Sequence, residues 1–339
     1  MGLGDILLLP AAHSDSQNNS NGRLPEVRAE RTAKLMNTPH LQRVSAVVPK
    51  EGNGHQAGLS AALQDLRSRD SKEFAAALDE RKLREREWAN FSRDKRRAKS
   101  SGETEEKHRG NAKWYSTTQL SLDYRNAWLA EKVSGKVFLD YACGDGLETL
   151  KAARMGASLA MGIDVSNVSV ANAAETAARE GLADRCIFLE GDCEATGLPD
   201  NSVDVILCSY MLHHLNLEYA YPEMHRILKP GGCVLACEAL DYNPLIKLYR
   251  RLTPEMRTEW EKEHILSLKD VRAAKGFFNV GAIRYWHVFS FLGGFLRGAP
   301  GLFGEAMKIL NAADRFLVRI PGVQLMAWQF SFELFKPLE

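Results

Sequence analysis

The hydrophobic and polar positions change texture twice along the chain. Residues 1–58 mix Asn, Ser, Gly, Pro and charge, as in SDSQNNSNG and PKEGNGHQ, with no sustained period, which predicts a flexible leader. From Leu59 to Lys99 apolar residues return at helical spacing through Leu63, Leu66, Phe74, Leu78 and Leu83, and the run closes on RDKRRAKS. A helical extension or cap is expected over 59–130, interrupted by a linker at SSGETEEKHRG. Its basic end, Arg93 to Lys99, reads as a solvated helix face in preference to a nucleic-acid contact. From Lys136 short apolar runs alternate with amphipathic segments of helix length, the pattern of a parallel sheet with crossover helices. Strands are expected at Val137–Tyr141, Leu159–Ile163, Cys186–Leu189, Val203–Ser209 and Cys233–Ala239. Two later strand-like runs, Ile283–Phe291 and Met326–Phe335, flank an apolar, Gly-punctuated segment with a helix near Glu305–Val318.

Composition changes this picture little. The 339 residues are 45% hydrophobic and 26% charged, with 44 Lys and Arg against 43 Asp and Glu, so no global field draws the chain to nucleic acid or an anionic membrane. Such a partner needs a local patch. Six cysteines without framework spacing suit a reducing, cytoplasmic setting. No apolar run approaches the roughly 18 residues of a membrane span. The start MGLGDILLLPAAH has Asp5 and no Lys or Arg before its apolar run, unlike a secretory signal, and Ile6 stands where a myristoylation signal wants Ser or Thr.

The candidate chemistry begins at VFLDYACGDG, where a strand ends in Asp140 and a small-residue turn through Ala142, Gly144 and Gly146 opens a helix. Exposed amides at such a turn favour an anionic group, and glycine permits the tight path. Alone, the turn is equally a plain structural one. The second strand ends in Asp164, twenty positions after Gly144, where a carboxylate can accept from both ribose hydroxyls of a nucleoside. The third leads into LEGDCEATGLP, placing Asp192 within reach of an adenine amino group and the Cys193 amide near the ring; Asp192 alone also reads as a helix cap. A nicotinamide-dependent oxidoreductase would use the same layout, but here the turn is A-x-G-x-G followed by Leu147, Glu148 and Thr149, without the third glycine of the dinucleotide fingerprint.

The segments LDYACGDG, GIDVS, GDCEATGLPDNSVDVILCSYMLHHL and HRILKPGG, in this order, resemble the class I S-adenosylmethionine-dependent methyltransferases, in particular a small-molecule branch with a histidine pair. The resemblance implies an α/β, Rossmann-like, doubly wound seven-stranded sheet with a late antiparallel hairpin over 131–339, a helical N-terminal cap, and substrate-side insertions at 241–282 and 292–324, the latter a C-terminal lid. It also implies S-adenosyl-L-methionine as cofactor. Its methionine end would lie at Asp140, Ala142 and Gly144, with Ser209 facing it, its ribose at Asp164 and its adenine at Asp192 and Cys193, and Gly146 would complete the cofactor-binding turn. The family usually has glycine where this chain has Ala142.

His213 and His214, after the fourth strand, are the candidate bases, with helix capping as the alternative. Tyr141, Tyr210, Trp114 and Tyr115 are candidates to face a sulfonium. CSYMLHHL supplies no acid where metal-dependent relatives carry one, so no metal is expected, and Cys143 and Cys208 read as small buried fillers. Acceptor contacts are expected from Tyr115, Tyr242, Arg250, Arg257 and His264; the two arginines would clamp a carboxylate or phosphate or pair with nearby glutamates. The stretch YWHVFSFLGGFLRGAPGLFGEAMKIL would be core packing, a lipophilic pocket or a peripheral lipid contact. The expected function is methyl transfer to a small or medium-sized organic acceptor, with O-methylation first. The alternatives are N-, S- or C-methylation of a lipophilic metabolite, or a cofactor-binding scaffold without turnover. Nucleic acid is not an expected partner, and the Asn/Asp-Pro-Pro-Tyr run of base and glutamine methylation is absent.

Overall fold

The computed structural model describes residues 54–99 and 112–338. Most of the expected leader, residues 1–53, and the linker at 100–111 lie outside these. The first helix among the described residues, α1 (Gly54–Ser68), starts inside the stretch expected as leader. It buries Leu59, Leu63 and Leu66, spaced i, i+4, i+7 on one face. The long helical run expected after it is broken in two, into α2 (Ser71–Ala77) and α3 (Glu80–Lys99). Asp70 causes the first break, because its carboxylate accepts from Lys72 N and Glu73 N and so caps α2. Two further helices, α4 (Ala112–Tyr115) and α5 (Gln119–Lys132), lead into the sheet domain.

That domain alternates β1 (Val137–Tyr141), α6 (Leu147–Arg154), β2 (Leu159–Asp164), α7 (Asn167–Arg179), β3 (Cys186–Glu190), β4 (Val203–Ser209), a 3₁₀ turn (Leu212–His214), α8 (Leu217–Ile227) and β5 (Leu228–Ala239). The excursion that follows holds α9 (Pro244–Leu252), α10 (Glu259–Glu263) and α11 (Leu268–Ala273). The chain then forms β6 (Asn279–Trp286), a 3₁₀ segment (Ser290–Leu296), α12 (Pro300–Leu317) and β7 (Gln329–Phe335).

The seven strands are ordered β3-β2-β1-β4-β5-β7-β6. The first five run parallel, whereas β7 pairs antiparallel with both β5 and β6, as the expected late hairpin requires. β2 and β3 each run one residue longer than expected, and strand limits differ by more than one residue at three places. β5 starts at Leu228, because Val203 pairs there before a register shift toward Cys233. β6 begins and ends earlier than expected, since His287 adopts φ +68°, which an extended strand cannot continue through, and the chain turns into the 3₁₀ segment. β7 begins at Gln329 because Val323–Met326 forms another 3₁₀ turn.

Both faces of the sheet are covered, as parallel strands demand. Tyr141, Ile163, Leu189 and Phe330 pack with α1 and α8 on one side. Phe138, Leu207 and Leu235 pack with Trp128 and Leu129 of α5 and with Ala152 and Ala153 of α6 on the other.

His287 ties the C-terminal excursion to α5: its Nδ1 lies 2.8 Å from Ser290 Oγ and its Nε2 3.0 Å from Ser121 Oγ. Ser121 Oγ in turn lies 2.9 Å from Gln329 Oε1, which accepts from the Tyr210 hydroxyl at 2.7 Å. Burial pushes the His287 imidazole down to about 3. The unfolded chain therefore binds a proton that the folded one excludes once pH falls below the ordinary histidine value, roughly 6.5, and stability drops from there toward pH 3. The margin in urea midpoint by which wild type exceeds His287→Gln at neutral pH is therefore expected to shrink as pH falls between these limits.

Candidate functional site

Strand order reverses between β1 and β4, so the crossover helices of the two halves depart in opposite directions and leave a crevice at the carboxyl ends of these strands. The turn after β1 lines one side of it, with Ala142, Gly144 and Gly146 all left-handed at φ +60°, +52° and +75°. Gly144 and Gly146 are there for different reasons. A Cβ on Gly146 would strike Phe188 and Ala173, so it serves helix packing; on Gly144 it would meet the Arg93 guanidinium, the movable end of a flexible side chain that covers the turn.

Asp164 is buried at the end of β2, where Gly144 N donates to its Oδ2 and Ser166 N to its Oδ1, each at 2.8 Å. Burial raises its carboxyl above the ordinary range despite these two donors. Each oxygen keeps an acceptor site, as a ribose diol needs. Asp140 is turned elsewhere: its Oδ2 accepts from Thr149 N at 3.0 Å and Thr149 Oγ1 at 2.9 Å, which fixes the first turn of α6. Burial, then the charge of Glu148, pushes it up to about 7. Ser209 is also engaged, accepting from Arg125 Nη1 at 2.6 Å, while Arg125 Nη2 pairs with Glu148 at 2.7 Å. Cys193 is buried and its carbonyl accepts from the Tyr141 hydroxyl. Burial holds the Cys143 and Cys208 thiols well above their ordinary range, as suits packing residues.

The largest departure from the sequence reading is α3, which lies along the carboxyl ends of β2, β3 and β4 and meets them with a ladder of polar side chains. Lys82 reaches Asp192 Oδ2 at 2.7 Å, Arg86 reaches Glu190 at 2.7 Å, Asn90 joins Ser166 and Asn167, and Arg93 pairs with Asp145 at 3.3 Å and donates to Ser169 Oγ. These positions share one helix face. Arg81 adds bonds to Glu194 at 2.5 Å and to the His214 carbonyl at 2.9 Å. Asp192, whose Oδ1 accepts from Glu194 N, would share its other oxygen between Lys82 and an adenine amino group. Arg93 puts a cation beside the glycine turn. The donor set thus suits a ligand with a diol, an amino-bearing ring and a carboxylate tail. In the sequence, α3 offers only periodic charge, the signature of any solvated helix, and the basic face expected to be free begins with a residue on the crevice.

Across the crevice, Tyr210 is left-handed at φ +59° and turns the chain from β4 into the 3₁₀ turn that carries the histidine pair. His213 Nδ1 lies 2.6 Å from Oε2 of fully buried Glu238, whose Oε1 accepts from Met211 N and Leu212 N. A carboxylate so held fixes the Nδ1–H tautomer and leaves Nε2 as the basic atom, 4.0 Å from Glu261. His214 is bound instead to Glu85 of α3 at 2.9 Å. Burial opposes its protonation, but the Glu85 hydrogen bond and the charges of Glu85, Glu261 and Glu238 outweigh this and raise its pKa. His213, His214 and Glu261 bring one donor atom each within 4.8 Å of one another, a grouping the sequence did not suggest.

The expected acceptor residues divide. Arg257 pairs with Glu261 at 3.3 Å, and Arg250 with Asp241 at 3.3 Å, with Arg250 Nη2 buried and unpartnered. Burial lowers the Arg250 guanidinium to about 10. Tyr115 packs against Tyr210 and Trp328, with ring centroids 6.1 and 5.6 Å apart. Tyr242 is structural, its hydroxyl accepting from Leu268 N, and exposed His264 stacks on Trp260 at 3.6 Å.

A left-handed alanine costs about 1–2 kcal/mol relative to glycine before the greater unfolded-state freedom of glycine is counted. Ala142→Gly is therefore expected to stabilise the fold by up to about 1 kcal/mol in urea titrations. A loss of stability would show that the Ala142 methyl makes contacts that outweigh its backbone strain.

Residues 139–236 match a family model described as a methyltransferase domain. Similar curated proteins include a sterol 24-C-methyltransferase of Gibberella zeae, 33% identical over 29% of this chain and 26% of that protein. A probable protein arginine N-methyltransferase 6 of Arabidopsis thaliana is 34% identical over 35% of this chain and 28% of that protein. The chain thus spans about a quarter of the length of these relatives. Among solved structures, a magnesium protoporphyrin IX methyltransferase from Synechocystis PCC 6803 is 17% identical over 77% of this chain and 99% of that one, at a TM-score of 0.48. Strand order and the crevice at the reversal point are those of a Rossmann-like fold, and they coincide with the stretch, residues 139–236, that matches a methyltransferase domain.

Proposed function

We propose that this protein transfers a methyl group from S-adenosylmethionine to an organic acceptor held between the histidine turn and the α9–α10 excursion, with oxygen as the accepting atom. The observation that carries this reading is the buried Glu238–His213 pair, which presents a basic Nε2 beside the crevice. S-adenosylmethionine, when bound, supplies an electrophilic methyl group on sulfur. Asp164 would hold the ribose, Asp192 and Cys193 the adenine side, and Gly144 with Arg93 the amino-acid tail. His213 Nε2 would take the proton of an acceptor hydroxyl as it is methylated, and Glu238 would stabilise the resulting imidazolium. Tyr115, Tyr210 and Trp328 would exclude water and favour the sulfonium charge. The step needs no metal. Six unpaired thiols fit a reducing cytoplasmic setting.

C-methylation is the second reading. The cluster that Tyr115 forms with Tyr210 and Trp328 would also steady a carbocation, and several of the similar proteins carry sterol C-methyltransferase names.

Calorimetric titration tests the cofactor assignment: S-adenosylmethionine and S-adenosylhomocysteine are both expected to bind, with binding lost in Asp164→Ala. Folded wild-type protein that binds neither contradicts the proposal, and binding without turnover on a broad acceptor panel favours the scaffold alternative. With an active acceptor, His213→Ala and Glu238→Gln are each expected to lower kcat about 10²–10⁴-fold, and a chelator to leave the rate unchanged. Inhibition by the chelator would recast His213, His214 and Glu261 as metal ligands, and mass spectrometry of the product separates oxygen from carbon as acceptor.

A further inference from the structure

The stretch 285–310, expected to be core packing, a lipophilic pocket or a peripheral lipid contact, turns large apolar side chains outward, and so does α9. On α9, Leu245, Leu248 and Leu252 are exposed, Leu252 to 71%, whereas Ile246 is buried and Arg250 turns inward to Asp241. On α12, Leu302, Ile309 and Phe316 are exposed, the latter two to 70% and 65%, while Met307 and Asp314 are buried. At about 100° per residue the exposed trio falls within roughly 40° of arc, and the buried pair lies some 120–140° from Leu302. Each helix therefore has an inner face seated on the protein and an outer stripe that is apolar.

The two helices are linked. The Trp114 ring lies 6.0 Å from Tyr249 of α9 and 5.0 Å from Phe295 of the 3₁₀ segment, and Gly293 of that segment is in tight contact with Met307 of α12. Phe295 is itself 72% exposed, and Phe289 and Leu292 beside it are exposed as well. Arg251 and Lys247, the latter paired with Asp241 at 3.0 Å, flank the stripe of α9, Lys308 and Arg315 that of α12, and Arg297 and Arg319 lie just outside its ends. The acids within 245–252 and 289–319 are Glu305, paired with Lys308, and buried Asp314. In a chain whose net charge is only +1, this is a local positive excess around an apolar surface.

We infer that the outer stripes of α9 and α12, joined by Phe289, Leu292 and Phe295, dock this protein on an anionic membrane surface. An apolar stripe bordered by Lys and Arg is the pattern of a helix that lies in the headgroup region, and no described helix is long and apolar enough to cross a membrane. A second copy of the chain would bring these cations against like charge, whereas anionic headgroups neutralise them. Because α9 carries Arg250 on its inner face, a docked molecule would hold the crevice close to lipophilic acceptors, a consequence that rests on the methyltransferase reading.

The experiment is co-sedimentation of the full chain with vesicles of phosphatidylcholine alone and of an equimolar phosphatidylcholine–phosphatidylglycerol mixture. Binding is expected to the mixed vesicles, weakened in roughly 1 M salt, where the screening length falls to about 3 Å. The combined variant Leu248→Ser, Leu252→Ser, Phe295→Ser and Ile309→Ser is expected to bind at least about tenfold more weakly, with unchanged circular dichroism and S-adenosylhomocysteine affinity. Absence of binding to either vesicle, or undiminished binding by the folded variant, overturns the inference. So does light scattering that reports a wild-type dimer made monomeric by the same substitutions. Vesicle binding without S-adenosylhomocysteine binding leaves docking standing and removes the methyltransferase reading; the converse removes docking alone.

Discussion

The reversal of strand order between β1 and β4 is the constraint on which the rest of this structure depends. Parallel strands end together, and their crossover helices shield both faces but not the carboxyl edge at the reversal. Everything chemically pointed in the chain converges there: the left-handed turn 142–146 after β1, Asp164 after β2, Asp192 after β3, and the histidine turn after β4. Register does the placing. Tyr141 pairs with Ile163 and Cys208, so the three strand ends adjacent to the crevice lie level.

A crevice lined by carboxylates accumulates unfavourable charge, and the chain answers with cations from outside the sheet. Lys82, Arg86 and Arg93 of α3 meet Asp192, Glu190 and Asp145, while Arg125 of α5 meets buried Glu148. Partly buried pairs of this kind are held by geometry and hydrogen bonding more than by net stabilisation, since desolvation cancels much of the attraction. Their consequence here is positional: α3 is fixed over the crevice, and a ligand entering beneath it meets a lining that is already organised.

Much of the sheet domain was legible in the sequence because its signals are local. An apolar run ending in Asp140 or Asp164, and glycines where a side chain would collide, carry their meaning within ten residues. β6 was misplaced because His287 ends it by adopting a left-handed conformation that no propensity reveals. The role of α3 was hidden for a different reason: Lys82 and Asp192 are 110 positions apart, and a charged face looks the same whether it meets water or carboxylates. Glu238 was likewise missed, since an acid inside an apolar strand declares its purpose only when His213 and the 211–212 amides are placed around it. Asp140 and Ser209 were found, but not their partners Thr149 and Arg125, which are fixed by helix packing.

Hydrogen–deuterium exchange with and without saturating S-adenosylhomocysteine tests the central claim, that the carboxyl edge beneath α3 is the cofactor site, most directly. Slower exchange in 140–147, in 190–194 and along α3 is the predicted result. Exchange unchanged in these segments, or slowed only elsewhere, would contradict it.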